Sequence, residues 1–194
     1  MKALVVYCHP NPASFNHAVL DLVTGELQRR GAQYKVRDLY ASGWEPRLSA
    51  ADFQQIFSGN VPDDIGKEQE DVKWADVLFF IFPVWWYSMP AILKGWIDRV
   101  FSFGFAYHMT EEGPRGLLKG KKAVIITTSG ATREMAEAGG LDQSLKTNIV
   151  NGIMGFCGIT GVVHKNLYGV PYVSDDDRKK MLEDTKAMLT DLKL

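Results

Sequence analysis

Six consecutive apolar residues, Val77, Leu78, Phe79, Phe80, Ile81 and Phe82, run directly into Pro83, and this stretch constrains the fold more than any other. It is too short for an ordinary helix and shows no polar alternation, so it reads as a strand buried on both faces. Such a strand belongs inside a parallel sheet with helices packed on each side. Pro83 carries no backbone N–H and closes the ladder. Three adjacent aromatics, Trp85, Trp86 and Tyr87, follow at once. No turn requires them, and they fall past the carboxyl end of a strand, the edge at which open α/β sheets bind ligands. Rings presented there suit a planar ligand.

The rest of the chain repeats the alternation. Strands are expected at residues 3–8, 33–39, 77–82, 122–128 and 161–168, and helices at 14–30, 66–74, 90–103, 142–158 and 175–192. Five βα units define an α/β fold with a doubly wound, five-stranded parallel sheet. The first, third and fourth strands are apolar runs, whereas Tyr34 to Asp38 and Val162 to Asn166 are diluted with polar residues and belong at the edges. The flavodoxin-like order 2-1-3-4-5 places them there. Pro90 suits a helix first turn, with Leu93, Trp96, Ile97, Val100 and Phe101 as its inward stripe. Ser174 before Asp175, Asp176 and Asp177 marks the start of the last helix. Residues 41–65, rich in Ser, Gly, Asp and Pro, are expected to form a loop or short helix over one edge. Without repeats or a linker, 194 residues at 46% hydrophobic content fit one domain spanning residues 1–194.

Charge and cysteine usage narrow the partners. A net charge of -1, spread evenly, leaves no basic footprint for nucleic acid. Pro83, Pro90 and Lys94 divide the apolar region 77–97 into pieces far below the roughly 20 residues of a membrane span, so no membrane insertion is expected. Cys8 and Cys157 lie in apolar segments and read as buried thiols of a reducing compartment. No targeting segment is visible ahead of the first strand, and cytoplasm is the expected location. His17, His108 and His164 have no partners at metal-ligand spacing, and no metal site is expected.

Three strand ends carry the candidate site. After the first strand come His9, Pro10, Asn11, Pro12, Ala13, Ser14, Phe15 and Asn16, then a long helix. A strand-to-helix turn offers free N–H groups and the positive end of a helix dipole, which suits phosphate. Ser14 and Asn16 either add side-chain donors or cap the helix. The turn lacks the glycine fingerprints of dinucleotide and mononucleotide phosphate loops. At the end of the fourth strand, Thr127, Thr128, Ser129 and Gly130 combine hydroxyls with close backbone approach, which suits the edge of a heterocycle. Phosphate donors, aromatic walls and polar partners meeting at one switch point suit a flavin.

At these positions the chain resembles the flavin-dependent NAD(P)H:quinone oxidoreductases, the DT-diaphorase-like family of flavodoxin fold. The likeness is carried by the turn at 9–16, Asp38 to Ala41, Phe82 to Trp86, Pro90 to Trp96, Phe105 to Tyr107, Ile126 to Thr128 and Phe156 to Gly158, and covers almost the whole chain. The block from Pro90 to Trp96 is its most specific part. The resemblance implies a homodimer with two equivalent sites, a bound FAD with FMN as the alternative, NADH or NADPH as co-substrate, and a quinone or related aromatic acceptor reduced by ping-pong hydride transfer.

Carried over residue by residue, the resemblance makes His9, Phe15, Asn16, Val84, Trp85, Trp86, Tyr87, Thr127, Thr128, Ser129 and Gly130 flavin contacts. Ser14 and Pro83 complete the cofactor set at the same strand ends. Trp86, Tyr87 and Tyr107 would line the substrate slot as the catalytic walls, and Phe156 gains a pocket role. Asp98 and Arg178 align with residues near the adenosine part of FAD. Where the mammalian enzymes carry a tyrosine and a histidine beside the reduced flavin, this chain has Met135 and Leu141. Backbone N–H groups around Ser129 and Gly130 are expected to serve instead. A rival reading is a flavin-bound regulatory subunit of a potassium-efflux system.

Overall fold

A computed structural model describes residues 1–192. In chain order the elements are β1 (Lys2–Tyr7), α1 (Phe15–Arg29), β2 (Gln33–Asp38), α2 (Ala50–Phe57), α3 (Asp63–Trp74), β3 (Val77–Pro83), α4 (Ala91–Val100), β4 (Tyr107–Thr110), β5 (Gly113–Gly116), β6 (Lys122–Thr128), α5 (Arg133–Ala138), α6 (Leu141–Leu145), a π-helix over Lys146–Gly155, β7 (Gly161–Leu167) and α7 (Asp175–Asp191). The five-stranded sheet is parallel throughout, in the order β2-β1-β3-β6-β7. With the separate β4-β5 hairpin set aside, this is the 2-1-3-4-5 order expected, and β3 is buried at every residue.

Because successive side chains of a strand alternate faces, the sheet feeds two cores. On one face Phe80 and Phe82 pack with Leu93, Trp96 and Val100 of α4 and Val72 of α3; on the other Val5, Phe79 and Ile126 meet Val19, Val23 and Leu27 of α1 and Leu189 of α7. Trp96 is fully buried and donates from Nε1 to Glu68 Oε2 at 3.0 Å. Burial pushes the Glu68 carboxyl up from its ordinary value, opposed by the Trp96 N–H and by Arg37 at 2.9 Å. At the far side Glu26 accepts from Arg29 and Arg30, and Arg30 also donates to the Leu189 and Leu192 carbonyls. That clamp ties α1 to the end of α7.

Four boundaries depart from expectation. The helix expected at 142–158 is α6 followed by a π-helix, preceded by Gly140 at φ 70°; an apolar run does not reveal a change of helical pitch. The helix expected at 66–74 starts at Asp63, where Asp63 and Asp64 favour the first turn through the dipole. The one expected at 90–103 stops at Val100. Finally β4 and β5 were not visible in the pattern, being four residues each, none of them buried, with Pro114 in one strand. Residues 41–65 do hold a short helix, α2, closed by a capping box between Ser49 and Asp52.

Candidate active site

The carboxyl ends of β1, β3, β6 and β7 enclose a cleft of about 220 Å³ lined by His9, Ser14, Phe15, Asn16, Pro83, Val84, Trp85, Thr128, Ser129, Gly130, Val170 and Pro171. Parallel pairing brings these ends level: Pro83 lies opposite Thr128, and the Val84 N–H donates to the Thr128 carbonyl at 2.7 Å. Ten residues expected from sequence to hold a flavin therefore share one cleft. Val170 and Pro171 were missed. They follow β7 just past Gly169, which sits at φ 64°, so the strand-end rule that picked the other loops would have found them.

The β1–α1 turn is built by local hydrogen bonds. Asn11 Oδ1 accepts from the Ala13 N–H at 2.9 Å, and Ser14 Oγ caps α1 by accepting from the His17 N–H at 3.2 Å. Ser14 thus takes the capping role. His9 Nδ1 lies 3.1 Å from the Asn11 N and 3.2 Å from the Asn11 carbonyl oxygen, which folds the ring onto the turn. Its ring stands 6.2 Å from that of Trp85.

Asn16 is 3% exposed and donates from Nδ2 to Thr128 Oγ1 at 2.8 Å, while its Oδ1 is buried with no partner among the described residues. Turning the amide over lets Thr128 donate and frees the NH₂ instead. Either way one polar end of a buried amide is left unsatisfied beside the cleft, at the N-terminus of a helix. A ligand carrying phosphate and hydroxyl groups supplies the missing partner, so the residues present fit a flavin nucleotide.

The aromatic turn is strained. Trp85 and Ser88 exchange backbone hydrogen bonds at 2.9 and 3.0 Å, and between them Trp86 and Tyr87 sit at φ 52° and 60°. That is the hairpin geometry normally given to Asn-Gly, here occupied by two large side chains. Trp86 is 98% exposed. Trp86, held in a costly conformation without burying its ring, marks a functional surface.

Several expected site residues lie outside this cleft. Thr127 turns its hydroxyl away from the cleft, to His164 Nε2 at 2.9 Å and Asn166 Oδ1 at 3.0 Å; burial holds His164 below its ordinary value. Asp98 pairs with Lys94 one turn away on α4, at 2.6 Å. Arg178 donates to the Val170 and Val173 carbonyls at 2.9 and 2.7 Å and pairs with Asp175, so it braces the loop that carries the cleft wall. Tyr107 packs on Phe156 with ring centroids 5.1 Å apart. One expected donor is spent: the Ser129 N–H bonds the Leu167 carbonyl at 2.9 Å, because the loop after β6 continues the pairing with β7. Gly130 alone of that pair has no protein partner for its N–H among the described residues. Cys8 and Cys157 are buried, which pushes their thiols up to about 12 and about 11 and keeps them unreactive.

Residues 1–190 match the family described as having a flavodoxin-like fold, and the chain belongs to it. Among the relatives, an uncharacterized NAD(P)H oxidoreductase of Haemophilus influenzae is 36% identical over 100% of this chain and 96% of its own. The human ribosyldihydronicotinamide dehydrogenase [quinone] is 34% identical over 93% of this chain and 87% of its own. The solved NAD(P)H:quinone oxidoreductase of Methanothermobacter marburgensis superposes with a TM-score of 0.87 at 31% identity, covering 97% of this chain and 95% of that one.

Proposed function

We propose that this chain is an NAD(P)H:quinone oxidoreductase that takes hydride from NADH or NADPH and reduces a quinone or related aromatic acceptor in the same slot, with ping-pong kinetics. The observation that carries this reading is the strained Trp86-Tyr87 turn directly after Trp85 in the wall of a cleft where one end of the buried Asn16 amide has no partner among the described residues. Bound flavin supplies a hydride acceptor for the nicotinamide and a two-electron donor for the quinone. The protein's part is recognition. The β1–α1 turn and Asn16 take the phosphate and hydroxyl groups; Val84 and Trp85 flank the ring; Thr128 and the Gly130 N–H serve its polar edge. Trp86, Tyr87 and Tyr107 form the walls against which planar substrates stack and exclude water.

The cofactor proposed is FAD. A second hollow of about 350 Å³, lined by Tyr7, His9, Pro10, Pro12, Asp38, Tyr40 and Ala41, adjoins the cleft at His9 and extends it towards the end of β2. That room suits the second nucleotide of FAD, and Arg178 contributes by bracing the Val170–Val173 loop; Asp98 is assigned to the adenosine end through the resemblance alone. The proposed assembly is a cytoplasmic homodimer of one-domain subunits. One feature supports a second copy: exposed Phe57 and Phe156 are joined through half-buried Phe103 and Tyr107 into a continuous aromatic strip. The potassium-efflux reading gains no support from the relatives described.

Steady-state oxidation of NADH and NADPH by the purified chain, with a benzoquinone as acceptor, tests the activity, and mass spectrometry of the released cofactor tests its identity. Parallel double-reciprocal lines and an FAD mass are expected. No turnover with either nicotinamide removes the enzyme reading, and an FMN mass alone removes the role given to the second hollow.

A further inference from the structure

Gly139 and Gly140 join α5 to α6, and they are glycines for different reasons. Gly140 has φ 70°, a left-handed conformation that favours glycine. Gly139 has φ -84° and ψ -3°, an ordinary right-handed helix cap that any residue adopts. Its backbone therefore does not explain it. The space beside it does: a Cβ built on Gly139 would collide with the Tyr87 hydroxyl oxygen, the severest of its contacts, while standing 3.0 Å from the Met135 carbonyl oxygen, which is tight, and 3.5 Å from Tyr87 Cζ, an ordinary contact. The Tyr87 hydroxyl makes no hydrogen bond among the described residues, so the contact is one of shape.

We propose that Gly139 is a positioning residue for the aromatic wall of the site: the notch left by its missing side chain receives the Tyr87 phenol and latches the strained Trp86-Tyr87 turn onto the end of α5. Tyr87 is otherwise half exposed, and it occupies the second left-handed position of a turn that local energetics disfavour. A turn of that kind needs an outside contact to select one arrangement, and among the described residues the end of α5 provides it for Tyr87. The latch also sets the separation between the aromatic turn and the segment bearing Met135 and Leu141, and so the width available to a planar acceptor. The steric coupling stands on the geometry alone, whereas its effect on acceptor binding rests on the quinone-reductase reading.

The test compares the wild type, Gly139→Ala, Tyr87→Phe and the double variant. Removing the hydroxyl removes the collision and leaves the Met135 carbonyl oxygen at 3.0 Å, to which the helix end must give by a few tenths of an ångström, and Cζ at 3.5 Å, so alanine at 139 should be markedly more harmful with tyrosine present than without it. Near-UV circular dichroism of the flavin-free proteins reads the turn directly, and KM and kcat for a benzoquinone read the slot. Gly139→Ala is expected to change the aromatic dichroism and raise KM roughly tenfold, with a smaller change in kcat, since a full ångström of misplacement costs about 10²-fold and the Tyr87 hydroxyl, at the end of its side chain, yields part of the way. In the Tyr87→Phe background the same substitution should change KM by less than about twofold and leave the dichroism as it is in Tyr87→Phe alone. Equal effects in both backgrounds, or no effect in the wild type, overturn the latch. Coupled dichroism without quinone turnover keeps the latch and rejects the reading of function; turnover without coupling does the reverse.

Discussion

Replacing Trp86 by glycine should stabilise the flavin-free protein while weakening its site. Trp86 occupies the first left-handed position of the turn, at φ 52°, and its side chain is 98% exposed. A non-glycine residue in that region costs roughly 1–2 kcal/mol, and an exposed ring returns no burial energy. Glycine removes the strain but adds about 0.5–1 kcal/mol of backbone entropy to the unfolded chain. The net gain is about 0.5–1 kcal/mol, which for a chain of this length raises Tm by roughly 1–4 °C. Trp86→Ala keeps the left-handed Cβ and should leave Tm unchanged within about 1 °C. Both substitutions remove the stacking surface, worth on the order of 0.5–1.5 kcal/mol, so flavin or acceptor affinity should fall about 2- to 10-fold. Scanning calorimetry of the flavin-free proteins and titration of flavin fluorescence separate the two effects. A lower Tm for Trp86→Gly, or unchanged affinities in both variants, would refute the reasoning.

The same contrasts extend through the molecule. Trp96→Ala, in the fully buried core under α4, should cost about 3–5 kcal/mol in urea unfolding, and any protein that still folds should retain flavin better than Trp86→Ala does. Asn16→Ala removes a buried amide with one end unsatisfied, so flavin affinity should drop about tenfold while flavin-free stability falls by only about 1 kcal/mol, read by titration and calorimetry. Arg29 and Arg30 hold the Glu26 carboxyl down at about 2, below an ordinary glutamate value of about 4.3. Its stabilisation is therefore complete above the unfolded value and lost as pH falls from there through about 2. Glu26→Gln should cost about 1–2 kcal/mol at neutral pH, discounted because Arg29 is 58% exposed, and progressively less in urea melts below pH 4.

What could be read in advance follows from how local each signal is. The run from Val77 to Phe82 names a buried central strand because burial on both faces demands apolar residues at every position. The polar residues of β2 and β7 gave away the edges for the same reason. The cleft was legible because loops at strand ends inherit their location from the sheet, and His9, Asn16, Trp85 and Thr128 meet without further information. Side-chain direction was not legible. Thr127 and Thr128 are neighbours, yet strand alternation sends one hydroxyl to His164 and the other to Asn16. Nor could sequence tell that the Ser129 N–H is spent on β7, or that Arg178 braces a loop, since both depend on distant backbone atoms. The reason for glycine at 139 is likewise invisible locally, because the atom it makes room for belongs to a residue in another turn.

In the proposed cycle one slot passes electrons from a nicotinamide to a quinone through a flavin held at these strand ends. Anaerobic stopped flow on the purified, flavin-loaded protein tests it most directly, with the two half-reactions in separate mixes. NADH or NADPH alone should bleach the bound flavin in a single fast phase. A benzoquinone added afterwards should restore the colour without released nicotinamide affecting the rate. Trp86→Ala should slow both halves, because both substrates stack against the same turn. A flavin that neither nicotinamide reduces, or that is reduced but never reoxidised by quinone, would contradict the account.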